Sequence, residues 1–144
     1  MSLARSLPLW APRTLSLLRV VAGLVFFVAG SMKVFGFPVM PGYPMPPFDP
    51  ASMVGIAGLI EVIGGILITL GLFTRPAAFI SSGQMACAYF MAHASQSFWP
   101  NVNNGMPALL LCFIFFHLVF AGPGSISIDA AIQKRRRGPL DSVM

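Results

Sequence analysis

The sequence predicts an all-α protein, a transmembrane up-down four-helix bundle, on three observations. Hydrophobic residues fill 56% of the 144 positions and charged ones 9%, with a mean hydropathy of +0.81. Soluble domains carry charge at about a quarter of positions, so this chain has too little to cover a water-facing surface. Four segments are long and apolar: Leu15 to Phe37, Ala51 to Leu72, Pro76 to Ala94 and Met106 to Ala121. A bilayer-crossing helix needs about 20 such residues, and a shorter one is accommodated by local thinning. The fourth segment is short but carries no charge.

The third observation is where the basic residues fall. Arg5, Arg13 and Arg19 precede or open the first span, Arg75 separates the second from the third, and Lys134-Arg135-Arg136-Arg137 follows the fourth. The positive-inside rule assigns all of these to the cytoplasm, leaving Lys33 near the outer end. An even number of spans then places both termini inside. The expected organisation is a cytoplasmic N-terminal segment, 1–14, a membrane domain, 15–121, and a basic cytoplasmic tail, 122–144. The formal net charge of +5 and the tetrabasic run invite a nucleic-acid reading. Their one-sided placement argues instead for a topology determinant that meets anionic lipid headgroups. A cleavable signal peptide ending near Val28-Ala29-Gly30 would alter the helix count and leave the class unchanged.

The connections are as informative as the spans. The first loop, "PVMPGYPMPPFDP", has too many prolines for regular helix. In the short turn Phe73-Thr74-Arg75-Pro76, Thr74 is the expected N-cap of the third helix, with Pro76 in its first turn. Such short links make consecutive helices antiparallel neighbours. The loop from Ser95 to Gly105 contains Phe98-Trp99-Pro100, suited to the headgroup layer, and Asn104 and Pro107 mark the start of the fourth helix.

Within the apolar run "GLIEVIGGILI" stands Glu61, the chain's single glutamate. Residues three and four away on a helix share its face, and here they are Ala57, Gly58, Gly64 and Gly65. Small residues let membrane helices approach closely, so Glu61 is expected to face other helices rather than lipid. A carboxylate there costs at least ~2.5 kcal/mol, so it is expected to be paired, neutralised or wet. Lys33, whose face mates Ala29, Gly30 and Gly36 are also small, is the cation within reach. By helix rise, Glu61 lies roughly 12 to 15 Å and Lys33 about 6 Å below the outer ends of their helices. The pair is a candidate catalytic site and equally a lock for the bundle. Gln84, with Ser81, Cys87 and Ala88 on its face, and His93, a turn from Tyr89, complete the candidate ligand-binding residues, Glu61, Gln84, Lys33 and His93. His117 is expected deep in the fourth span as a packing residue. Cys87 and Cys112 fall at similar depth, which leaves a redox pair open. They form no CxxC and no His/Cys cluster, so no metal site is expected.

Taken together, "LRVVAGLVFFVAGSMKVFGF", "GLIEVIGGILITLGLFTRPAAF", "MACAYFMAHASQSFWPNVNNG" and "FAGPGSISID" resemble the DoxX family of small bacterial membrane proteins, over Leu18 to Asp129. The resemblance implies four helices in the cytoplasmic membrane and a link to quinone-coupled or thiol redox complexes. On it, Lys33 matches the lysine closing the first helix, Glu61 the glutamate of the second and Arg75 the basic residue of the short turn. Asn103, Gly105 and the segment Gly122-Pro123-Gly124 to Asp129 match the ends of the fourth span. Gln84 and Met106 stand where many relatives carry acids. The resemblance thus points to a membrane subunit that binds quinone and takes electrons from a soluble oxidoreductase partner, since no haem, flavin or iron–sulfur ligand set is visible. The rival reading is a non-catalytic anchor or assembly subunit whose polar residues only lock the bundle. A solute carrier is disfavoured, because nothing suggests broken helices or inverted repeats.

The topology is testable directly. With Cys87 and Cys112 replaced, single cysteines at Ser95 and Ser142 should differ in intact cells: an impermeant maleimide labels position 95 and not position 142. Labelling of 142 alone would invert the orientation.

Overall fold

The computed structural model describes residues 3–42 and 45–136. The end of the expected basic tail, 137–144 with Arg137, and the first two residues lie outside them. The described residues are helical, without strands: α1 (Leu3–Phe35), α2 (Met53–Leu70), α3 (Thr74–Ala88), α4 (Met106–Ala121) and α5 (Ile128–Arg136), with a π-helical turn, Tyr89–His93, continuing α3. Two helical stretches are long and apolar enough to cross a membrane, Leu7–Phe35 and Met53–Leu70, and α4 is a shorter apolar helix. α1 runs further towards the N-terminus than the expected span because Pro8 and Pro12 are absorbed into it.

Contact pairs give the helix directions. Gly23 lies against Thr69, Phe27 against Gly65, Gly30 against Glu61 and Lys33 against Gly58, so α1 and α2 are antiparallel. Their backbones come so close that a methyl group on Gly30 would sit 2.6 Å from the Val62 nitrogen, and one on Gly65 2.6 Å from that of Phe27. This close approach is how small-residue stripes join helices in apolar surroundings. Gly64 meets Ser81, and Ser82 hydrogen-bonds the Cys112 carbonyl at 2.9 Å, which carries the alternation through α3 to α4. The core lies where the four meet, at Phe26, Ile68, Ala78, Met85, Phe115 and Leu118. Phe26 and Phe115 stack edge to face, with centroids 4.8 Å apart, and tie α1 to α4. Such a pair adds about 1 kcal/mol to its burial.

The end where α2 turns into α3 is organised differently from the expectation. Ser52 caps α2 at its start, accepting from the Gly55 nitrogen, and Gly71 ends it in the left-handed conformation, φ 68°. Thr74, however, does not cap α3. It is the helix's first residue, and its Oγ1 is buried without a partner. The cap comes from Asp129, whose carboxylate accepts from the Phe73 and Thr74 nitrogens at 3.0 and 2.9 Å. Two N–H groups that α3 itself cannot pair are thereby satisfied, and Phe73 is held at φ 48°, unusual for a bulky residue. The Asp129 nitrogen returns a bond to the Gly71 carbonyl at 2.9 Å.

Arg19 belongs to the same assembly. It is 1% exposed, its Nη2 donates to the Ile126 carbonyl at 2.8 Å, and its guanidinium packs on Gly71, leaving no room for a side chain there. The turn after α4 also docks on α1: the Ser125 nitrogen donates to the Pro12 carbonyl at 3.1 Å, and the Ile126 nitrogen to Ser16 Oγ at 3.0 Å. The segment after α4 therefore begins as a clamp joining α1, the α2–α3 turn and α5, and becomes basic only at Lys134, Arg135 and Arg136.

Asp129→Ala should cost about 1 to 2 kcal/mol, the usual loss for a removed cap, read as a lower midpoint of thermal unfolding in detergent. Asp129→Asn, which keeps one acceptor, should lose less. Equal midpoints for Asp129→Ala and the wild type would mean that α3 needs no external cap.

Candidate functional site

α1 ends at Phe35, so Lys33 lies in its last turn. Gly36, expected on the Lys33 face, is instead the first residue past the helix, at φ 66°. Ser31 is buried, and its Oγ lies 2.6 Å from the Phe37 carbonyl, which fixes the path of the chain as it leaves. From this turn Lys33 reaches across Gly58, whose lack of a side chain admits its stem, to Glu61.

The two ends meet squarely. Lys33 Nζ lies 2.5 Å from Glu61 Oε1 and 2.6 Å from Oε2, the one ion pair among the described residues. Gln84 Nε2 adds a third donor to Oε1 at 3.2 Å. The glutamate side chain is 1% exposed and the lysine 24%, so the carboxylate is sealed while the lysine side chain is only partly covered. A buried carboxylate requires this, since desolvation of an unpaired charge costs several kcal/mol. Among the expected residues, the structure therefore joins Lys33, Glu61 and Gln84 directly.

Beside them is a cleft of about 880 Å³ between α2 and the α3–π-turn segment. Ile56, Ala57 and Ile60 form one wall, and Ile80, Gly83, Cys87 and Met91 the other. Ile56, Phe79 and Ile80 at its rim are exposed on the flank of the molecule, so the cleft opens sideways. The polar residues lining it are Lys33, Ser82, Gln84 and His93. A second cavity, of about 20 Å³ and thus large enough for one water, is lined by Lys33, Asp49, Ser52 and Gly55. Lys33 stands between the two spaces.

His93 closes the π turn, and the following loop holds it. Its Nδ1 lies 3.0 Å from the carbonyl of Asn103, a residue 2% exposed. Asn103 is anchored in turn by Nδ2 to the Ser97 carbonyl at 2.6 Å and by Oδ1 to the Gly105 nitrogen at 2.7 Å, and Tyr89 reaches the Phe98 carbonyl at 2.5 Å. π turns interrupt α-helices chiefly where a side chain must be re-aimed.

The remaining candidates stand apart. His117 is exposed on the outer side of α4 rather than packed within it. Cys87 is exposed in the cleft and Cys112 is half-buried against Ser82; both are free thiols. No cluster able to hold a metal occurs among the described residues. Asp129 and Arg19 went unread as a pair of tail and core anchors. Their only sequence signal was the isolated acid after the glycine-rich turn "GPGSISID".

A helical protein with apolar flanks and a buried ion pair belongs to the class of small integral membrane proteins. More narrowly, the DoxX family model matches residues 14–94, and the chain belongs to that family. A Haemophilus influenzae protein is 41% identical, over 88% of this chain and 96% of its own length. The inner membrane protein YphA of Escherichia coli is 31% identical, over 82% and 89%. CatD of Bacillus subtilis, an oxidoreductase by name only, is 27% identical, over 84% and 88%. No solved structure matches the chain.

Double-mutant thermodynamics measures the pair. Lys33→Met and Glu61→Gln should each cost on the order of 3 kcal/mol by stranding a buried group, and the double variant should lose less than their sum. Additive losses would mean that the side chains do not interact.

Proposed function

We propose that the protein is a four-span, up-down bundle of the bacterial inner membrane, with both termini cytoplasmic, and that its cleft receives the ring of a membrane quinone. The observation that carries this reading is the sideways opening of the cleft onto an exposed apolar flank, with Lys33, the partner of the buried Glu61, in its lining. The four-span reading takes α3 and its π turn as one helix, Thr74–His93, long enough at 1.5 Å per residue to cross a bilayer core. The antiparallel register of consecutive helices supports it.

The residues suit a quinone. A site for such a ligand needs apolar walls for the ring and a few polar groups for its oxygens. Ile60, Ile80 and Met91 supply the first, and Lys33 supplies a donor for a ring oxygen. Two of the three Lys33 protons bind Glu61, which leaves one to offer to a ligand oxygen. When bound, a quinone supplies two-electron, two-proton redox chemistry. The chain's own residues orient it, exclude water and hold the charge of Lys33 in place. Electrons would pass to or from a soluble oxidoreductase partner, a role in keeping with the name of CatD. The second reading, an assembly subunit locked by its polar residues, is favoured by how completely Glu61 is satisfied.

Ligand binding separates the two. A ligand that binds the folded form raises its unfolding temperature with the logarithm of concentration. A soluble short-chain ubiquinone should do so for the wild type. Gly83→Leu should abolish the shift by filling the cleft, because a side chain at Gly83 meets nothing within 4 Å, and the ion pair stays intact. A wild-type melting curve indifferent to quinone leaves the assembly subunit.

A further inference from the structure

The polar atoms around the cleft differ in what they can still bond. The Glu61 carboxylate is buried and engaged by Lys33 and Gln84. Gln84 Oε1 is buried away from any partner, and Ser82 Oγ is spent on the Cys112 carbonyl. Two lining side chains that are only partly buried, Lys33 and His93, retain capacity for a ligand. Lys33 keeps one N–H and can only donate.

The bonding of His93 fixes which of its nitrogens carries the proton. The Asn103 oxygen opposite Nδ1 is a carbonyl, which accepts and cannot donate. Nδ1 is therefore the protonated nitrogen, and in the neutral ring Nε2 presents a lone pair. Among the described residues Nε2 has no hydrogen-bond partner, and it is not among the sealed polar atoms, so it is accessible on a residue that lines the cleft. The loop that sets this arrangement is itself tightly built, with Asn103 bonded through both side-chain ends.

From this geometry we propose that His93, through the free nitrogen of its neutral ring, is a hydrogen-bond acceptor that makes the cleft select the reduced, hydroxyl-bearing form of its ligand. A quinone presents two carbonyl oxygens, and an oxygen placed at Nε2 meets another lone pair. A hydroquinone presents O–H at the same position and satisfies it, while its second oxygen still accepts from Lys33. A site that recognises an O–H rejects the analogue lacking it, because a buried polar group is then left unpaired. The inference rests on the quinone reading of the cleft and adds the redox state that the cleft prefers.

The test compares ubiquinone-1 with ubiquinol-1, kept reduced under anaerobic conditions, on the full-length protein in detergent. Cys87 is replaced by Ser in every arm, so that the quinone cannot alkylate it. Unfolding midpoints, followed by tryptophan emission at graded concentrations, yield an apparent affinity for each form. The quinol should bind about tenfold tighter, the value of one hydrogen bond. His93→Phe should keep its affinity for the quinone and lose the preference. His93→Gln, which can donate to Asn103 and still accept from a ligand, should recover part of it. If His93→Phe fails to fold, the wild-type ratio and the glutamine variant decide. Equal binding of both forms, tighter binding of the quinone, or a preference that survives in His93→Phe would overturn the proposal. Binding of neither form would instead remove the quinone reading on which it stands.

Discussion

Everything in the interior is arranged around one carboxylate held in apolar surroundings. Glu61 is fully buried, and a lone ionised carboxylate there would cost more than a domain of this size could spare. The pair with Lys33 is possible only because α1 and α2 approach to backbone contact at Gly30 and Gly58. Lys33 stands in the last turn of α1, where its side chain is only partly covered. The glycine stripe, the ion pair and the polar base of the cleft are thus one feature. Widening the helix pair by a single methyl group at Gly30 would act on all three.

Much of this was legible in the sequence, because the signals are local and few. A single glutamate among small residues at helical spacing, with one lysine in the outer half within reach of its side chain, leaves little choice of partner. Gln84 was readable as a polar residue on the third helix, but its bond to Glu61 was not, because nothing local fixes the level at which the two helices meet. The first two apolar helices were legible as uninterrupted apolar runs. The third was harder, since α3 carries Ser81, Ser82 and Gln84 and then changes its winding at Tyr89. No propensity announces a π turn; it comes from the demands of the loop that Tyr89 and His93 must reach.

The basic end was the least legible part, and the reason is distance along the chain. Arg19 looked like one more topology charge, yet it is among the most deeply buried side chains, held by a carbonyl 107 residues away. Thr74 looked like a cap by local rule, and a carboxylate from the far end of the chain takes that role. Pattern rules for helix ends count neighbours within a few positions. They cannot see a partner supplied by another element.

That remote cap also orders events in time. The carboxylate that holds the start of α3 lies 55 residues beyond it, near the end of a 144-residue chain. During synthesis, α1, α2, α3 and α4 all exist before Asp129 does. Until then the turn between α2 and α3 has unpaired N–H groups, and Arg19 lacks the Ile126 carbonyl. The four apolar helices can associate early, but the bundle is latched only when the last helix has been made. Synthesis of the segment that carries Ile126 and Asp129 is therefore a discrete structural event for this protein, marked by the closing of the α2–α3 turn over Arg19.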